Sequence, residues 1–146
     1  MTKYVSIDPG KFKCGFVFAD IKNREIKEAI VVRRNSLFKN IDLIRAKEKD
    51  LKLIIGNGTS SNQLIEKFNF FGDDLVIADE TNTTYRARER YFEIFPKKGL
   101  QRLIPNEILI HNINLDAVAA LIILEDYVKF KFKLKYNFEA KTWKKQ

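Results

Sequence analysis

Tyr4-Val5-Ser6-Ile7-Asp8-Pro9-Gly10, followed after a short turn by Cys14-Gly15-Phe16-Val17-Phe18, is the stretch on which the fold turns. An apolar run that ends on one carboxylate and then turns at Pro-Gly is a buried strand delivering a charge to the rim of a sheet. Residues 3–8, 14–20 and 25–33 read as three strands. The turns Pro9-Gly10-Lys11 and Lys22-Asn23-Arg24 are short enough to require antiparallel hairpins between them.

Past residue 33 the period changes. Phe38, Ile41 and Ile44 fall at helical spacing behind Asn35-Ser36, a cap signal, and predict a helix of about 36–49. Leu51 to Gly56 is a fourth strand. Thr59, Ser60 and Ser61 offer N-caps to a second helix with Leu64, Ile65 and Phe68 on one face. Leu75-Val76-Ile77-Ala78 is a fifth strand ending on Asp79-Glu80, and Thr83 or Thr84 caps a third helix with a stripe of Ala87, Tyr91, Ile94 and Phe95. The segment from Pro96 to Asn114 reads as mostly loop, of a length that is usually functional. A final helix, about 115–128, is apolar nearly all round and belongs between layers.

The whole is one α/β domain of 146 residues, 45% hydrophobic, without repeats or a Gly/Ser linker. No apolar block is long enough to cross a bilayer and no signal peptide opens the chain, so no membrane association and a cytoplasmic location are expected. The single cysteine, Cys14, excludes a disulfide framework and a cysteine-based zinc site and reads as core. A formal charge of +8 favours a polyanionic partner, nucleic acid being the commonest.

Three hairpin-linked strands followed by two strand–helix units describe a five-stranded mixed sheet flanked by helices, a pattern that resembles the ribonuclease H-like architecture. Ligands of such sheets gather where strand ends open a crevice. Asp8 closes strand one, Glu80 closes strand five, and Asp116 falls in the first turn of the last helix, where the helix dipole favours its ionised form. Three carboxylates brought together repel unless a cation sits between them. Magnesium or manganese is the expected occupant, because hard ions take carboxylate oxygens and one His and one Cys offer no soft site. The chemistry that follows is metal-dependent hydrolysis of phosphodiesters, with a pair of ions about 3.5–4 Å apart.

Several motifs carry a closer resemblance. Ile7-Asp8-Pro9-Gly10 with Lys13-Cys14-Gly15, Gly56-Asn57-Gly58-Thr59, Asp79-Glu80-Thr81-Asn82-Thr83-Thr84 with Ala87 and Arg88, Gly99 to Pro105, and Asp116-Ala117-Val118-Ala119-Ala120 with Tyr127 resemble the YqgF-like group of RuvC-type Holliday junction resolvases, also described as nucleases of the ribosomal RNA precursor. The resemblance spans about 3–128 and implies that Asp8, Glu80 and Asp116 form the metal-binding catalytic set of an endonuclease acting on a four-way DNA junction or structured RNA. Two departures stand out. RuvC-type resolvases tend to carry a fourth acid one turn after the last, whereas this face holds Ala119, Ala120 and Ile123. Glu125 and Asp126 fall about 180° and 280° round the helix from Asp116, so three ligands are expected. Thr81 also stands where many members carry an arginine.

Each candidate has a plainer rival. Asp8 is also a good turn residue, Asp79 competes with Glu80, and Asp116 or Asn114 serves equally as a helix cap. Thr83 and Thr84 orient a phosphate, orient the glutamate or only cap their helix. Arg86, Arg88 and Arg90, extended by Lys97, Lys98 and Arg102, are candidates to grip a phosphate backbone; the alternative is pairing with Glu89 and Glu93. Gly56 to Thr59 either presents backbone N–H groups to a phosphate or makes a tight turn. His111, the only histidine, is a proton-transfer candidate or an incidental exposed residue.

From Lys129 to Phe138 cationic and apolar residues alternate with a period of two, so residues 129–146 read as a basic aromatic extension and an added strand. Packing of its aromatics on the domain's own surface is favoured over pairing with a second subunit or lying along nucleic acid. A homodimer would suit a two-fold junction. Two other functions compete with the nuclease: a one-domain fragment of an actin-like ATPase, disfavoured because that fold needs two such domains, and a catalytically silent ribonuclease H-fold binding or scaffold domain.

Overall fold

The computed structural model describes residues 2–110 and 115–134 in full and the backbone of 112–114. Strands β1 (Lys3–Asp8), β2 (Lys13–Asp20) and β3 (Glu25–Arg33) form the two expected hairpins. The first is pinned by an ion pair between the register partners Lys3 and Asp20, and Asp20 also accepts the Asn23 N–H at 3.1 Å to shape the second turn. After a 3-10 turn (Arg34–Ser36) come α1 (Leu37–Lys47), β4 (Leu51–Gly56), α2 (Asn62–Lys67), a 3-10 segment (Asn69–Asp74) and β5 (Leu75–Ala78). Helix α3 (Thr83–Ile94), a 3-10 turn (Gly99–Leu103), α4 (Asn106–Leu109) and α5 (Asn112–Val128) complete the described chain. The sheet order is β3-β2-β1-β4-β5, with β1, β4 and β5 parallel. The architecture is therefore α/β with a five-stranded mixed sheet and helices on both faces.

Strand alternation divides the core in two. Val5, Ile7, Phe16, Leu53 and Ile55 point to the face covered by α1, α2 and Phe68. Val17, Ala19 and Ile54 point to the opposite face, covered by α5 and α3. Helix α5 is buried without interruption from Ala117 to Glu125, as its all-round apolarity predicts. The buried Ser6 hydroxyl ties β1 to this helix by donating to the Ala120 carbonyl at 2.8 Å. Cys14 is fully buried and burial raises its thiol pKa, so it is a core residue.

Several local expectations are corrected. The cap positions of α1, α2 and α3 are Ser36, Ser61 and Asn82, none of which makes a side-chain capping bond. Asn82 instead takes a left-handed conformation, which its short polar side chain tolerates, at the turn into α3. Helix α5 starts at Asn112, so Asp116 lies in the second turn and caps nothing. The long segment after Pro96 is less bare than expected, holding the 3-10 turn, α4 and the opening of α5. Beyond α5, Lys129 turns the chain at φ +62°, and residues 129–134 form no strand. Phe132 folds back into the core between α3 and α5, in line with aromatics packing on their own domain. His111 and the remainder of the alternating tail, 135–146, lie outside the described residues. No helix among the described residues is long and apolar enough to cross a membrane.

Candidate active site

Strand parity builds this site. Asp8 shares the α5-facing side of β1 with Ser6, while its neighbour Ile7 pairs with Ile55 of β4, so Gly56 lies alongside at the same sheet end. Gly56 pairs in turn with Ala78 of β5, two residues before Glu80. On the other side Asp8 pairs with Gly15 of β2. The site uses glycine at both neighbours because other parts of the chain, backbone at Gly15 and a side chain at Gly56, occupy that space. A Cβ on Gly15 would stand 1.9 Å from the Asp116 carbonyl oxygen, and a Cβ on Gly56 would stand 1.8 Å from Glu80 Oε1.

The turn after β4 cradles Glu80. Asn57 Oδ1 accepts the Glu80 N–H at 3.1 Å, the Asn57 N–H donates to the Ala78 carbonyl at 2.9 Å, and the Gly58 N–H donates to the Glu80 carboxylate. The Gly56-Asn57-Gly58 turn thus serves the protein's own carboxylate, which is what its donors reach in place of an external phosphate. Asp79 is exposed and accepts from the Thr81 N–H (2.9 Å) and hydroxyl (2.6 Å), which holds its pKa down and closes a local turn, while its charge acts on Glu80.

Electrostatically, Asp8 and Glu80 form a coupled pair. Burial, then the charges of Glu80 and Asp116, push the Asp8 carboxyl up to about 8, and in the one-proton form Asp8 donates a hydrogen bond to Glu80. Glu80 is raised by burial, opposed by the bonds from Asp8 and Gly58. Asp116 is also raised by burial, against the pull of the Lys13 ammonium. Its position in the second turn explains why the helix dipole does not keep it low, because that effect fades within the first turn. With both partners deprotonated, Glu80 Oε1 is buried without a hydrogen-bond donor. A proton, an ordered water or a cation would satisfy that oxygen.

The donor set fits a hard divalent ion through Asp8 and Glu80. Mg²⁺ is commonly held by one or two carboxylates, with water and substrate phosphate completing its shell. Among the described residues, however, no group of three or more His, Cys, Asp or Glu side chains is arranged to hold a metal ion. Asp116 is close enough for its charge to act on Asp8, but it does not join the pair in such a group.

Most of the proposed phosphate grip is committed elsewhere. Arg90 is buried and donates to Glu125 at 3.0 Å, to Glu93 at 2.9 Å and to the Phe132 carbonyl at 2.8 Å, so it is corrected to a structural residue. Arg86 makes a two-pronged pair with Asp126, both contacts at 2.6 Å. Lys97 donates to the Ile104 carbonyl at 3.2 Å and lies 5.0 Å from the Phe92 ring centre. Lys98 is exposed, and its backbone N–H donates to Gln101 Oε1 at 3.0 Å. Arg88 and Arg102 are exposed.

Two basic features near the acids went unread in the sequence. Lys13 and Arg33 are register partners on β2 and β3 and are both exposed; Lys13 acts on Asp116, and both line an open cleft of about 640 Å³ along β3 and α1. Arg34, part-buried, donates through Nη1 to the carbonyls of Gly10 (2.9 Å) and Ser60 (2.8 Å). It thereby clips the turn after Asp8 to the turn that cradles Glu80. In the sequence Arg33 and Arg34 show only as paired cations at the end of β3, and Lys13 only as part of the Lys13-Cys14-Gly15 motif. Comparison of the chain with protein-family models and with curated proteins finds no match.

Proposed function

We propose that this chain is a divalent-metal-dependent endonuclease of the RuvC-type, YqgF-like kind, on a ribonuclease H-like fold, cutting phosphodiester bonds in branched or structured nucleic acid. The observation that carries this reading is the Asp8–Glu80 pair, two acids forced together at parallel strand ends, one of them with a buried oxygen left without a hydrogen-bond donor. Asp8 and Glu80 would hold Mg²⁺ or Mn²⁺, with Asp116 beside them; such an ion supplies charge stabilisation at the phosphate and lowers the pKa of bound water. Gly58 and Asn57 fix the Glu80 carboxylate, and Arg34 keeps its turn against that of Asp8. Lys13 and Arg33 stand on the acid-bearing side of the sheet, where Lys13 already acts on Asp116 and a phosphate backbone approaching the acids would meet them. A nucleic-acid substrate points to a cytoplasmic location, and a two-fold junction calls for a homodimer.

The rival is a ribonuclease H-fold domain that binds nucleic acid without cutting it, favoured by the lack, among the described residues, of three acids arranged to hold a metal ion. The two are separated by offering a labelled four-way DNA junction and a structured RNA precursor, each with Mg²⁺ or Mn²⁺, to wild type, Asp8→Asn and Asp116→Asn. Cleavage by wild type alone supports the nuclease and names its polymer. Binding of both substrates with cleavage of neither supports the rival.

A further inference from the structure

Phe12 stands in the turn that follows Asp8, four residues after that acid and next to Lys13, and it is 75% exposed. A single exposed aromatic on a loose surface loop is commonplace. This one is held in place. The Phe12 carbonyl accepts the Arg34 N–H at 2.8 Å, and the Arg34 guanidinium holds the Gly10 carbonyl at 2.9 Å. Gly10 is packed so tightly into the turn that a Cβ there would stand 2.1 Å from the Lys13 carbonyl oxygen. A large apolar side chain is thus displayed to solvent on backbone fixed at Gly10 and at Phe12 itself, beside the acid site.

The surrounding charge selects the ligand. The Lys11 ammonium lies 5.5 Å from the Phe12 ring centre, and Lys13 acts on Asp116. The two segments that Arg34 ties together here, 9–19 and 29–41, carry Lys11, Lys13, Arg33, Arg34 and Lys39 and no carboxylate. Asp8, Asp20, Glu28 and Asp42 bound those segments in sequence, and Asp116 meets Lys13 in space. A ring set among cations suits a polyanion with flat apolar faces, which an apolar peptide and a free phosphate are not. Within a continuous duplex both faces of each base are already stacked, so the ring is open only to an unpaired one.

We infer that Phe12 is a stacking platform for an unpaired base of a single nucleic-acid strand, with Lys11 and Lys13 on the flanking phosphates. Stacking on an aromatic side chain tolerates any sequence, because every base has a π face. This deepens the proposed function and rests on it for the cut, which would then fall in or beside an unpaired stretch; the stacking itself rests on the ring and its cations.

The test uses full-length Asp8→Asn protein in EDTA, so that no cleavage intervenes, with fluorescein-labelled single strands of thymidine and of uridine about ten nucleotides long and a duplex of equal length. Affinity is read by fluorescence anisotropy across a range of salt. On at least one of the two polymers, adding Phe12→Ala should weaken single-strand binding about ten-fold, with duplex binding and the salt slope unchanged because no phosphate contact is lost. Phe12→Trp should keep the affinity, whereas Phe12→Leu, apolar but without a π face, should not. Unchanged single-strand affinity in Phe12→Ala on both polymers overturns the platform, as does full affinity in Phe12→Leu or an equal loss on the duplex. So does conversion of a dimer to a monomer by Phe12→Ala in light scattering, which would make the ring a subunit contact. Metal-dependent cleavage by wild type with no effect of Phe12 on binding would sink the platform and leave the nuclease standing; a Phe12-dependent hold on single strands with no metal-dependent cleavage would do the reverse.

Discussion

Gly56 lies against Glu80 so closely that a single added methyl group would stand 1.8 Å from Oε1. The obstacle is the far end of a side chain, which can move; at Gly15 it is the backbone of α5 at Asp116. Gly56→Ala should therefore fold but swing Glu80 away from Asp8, abolishing metal-dependent activity and Mg²⁺ binding by calorimetry. Gly15→Ala should destabilise by about 1–3 kcal/mol or more in urea titration, because packed backbone must shift. Equal loss of stability in both would contradict this assignment.

The acid pair makes the metal-free protein sensitive to alkali. Asp8 ionises near pH 4 when unfolded and at about 8 when folded, so between those values the native state holds a proton that the unfolded chain has lost. Stability from this group is complete below pH 4 and falls as the pH rises to about 8. In EDTA, wild type should lose thermal stability between pH 5 and 8 faster than Asp8→Asn, and the variant should melt higher at pH 8. Parallel curves for the two proteins would exclude a shared proton.

Arg90 holds α3, α5 and the chain after it together, with every contact buried or half-buried. Burial pushes the Glu125 carboxyl up and Arg90 pulls it back, so removing the cation strands an acid in the core. Arg90→Ala should cost about 3–5 kcal/mol in chemical denaturation. Arg90→Lys should recover only part, since an ammonium lacks the guanidinium fork. Nucleic-acid affinity should follow folded protein only; a selective loss of affinity in a stable variant would return Arg90 to the binding surface.

Arg34 ties the turn after Asp8 to the turn that cradles Glu80 through two backbone carbonyls. Arg34→Gln removes charge-assisted bonds worth about 1.5–3 kcal/mol each. It should weaken Mg²⁺ binding and lower kcat more than it raises KM for the nucleic acid, with Arg34→Lys intermediate. A variant that loses stability while keeping wild-type metal affinity would show Arg34 to be a brace of the fold alone.

What was legible in the sequence was what depends on short range. Pro9-Gly10 and Lys22-Asn23-Arg24 mark the hairpins, and the β-rich runs at 51–56 and 75–78 match β4 and β5. The pairing of Asp8 with Glu80 also followed, because both close strands of one sheet. What stayed hidden depends on partners far along the chain. Arg86, Arg88 and Arg90 look alike in sequence, yet Arg86 and Arg90, one helical turn apart, meet Asp126 and Glu125 while Arg88 faces solvent. Gly58 resembled a phosphate-binding turn because a backbone N–H serves an internal carboxylate as readily as an external anion. The start of α5 was missed because Asn114, a favoured cap residue type, lies inside the helix.

Phe132 gives its carbonyl to Arg90 and its N–H to Glu125 while its ring sits in the core. Anyone shortening this chain therefore meets a hard stop: a fragment ending at Val128 would keep every strand and helix described yet open a ring-sized hole and leave two buried charges short of a ligand.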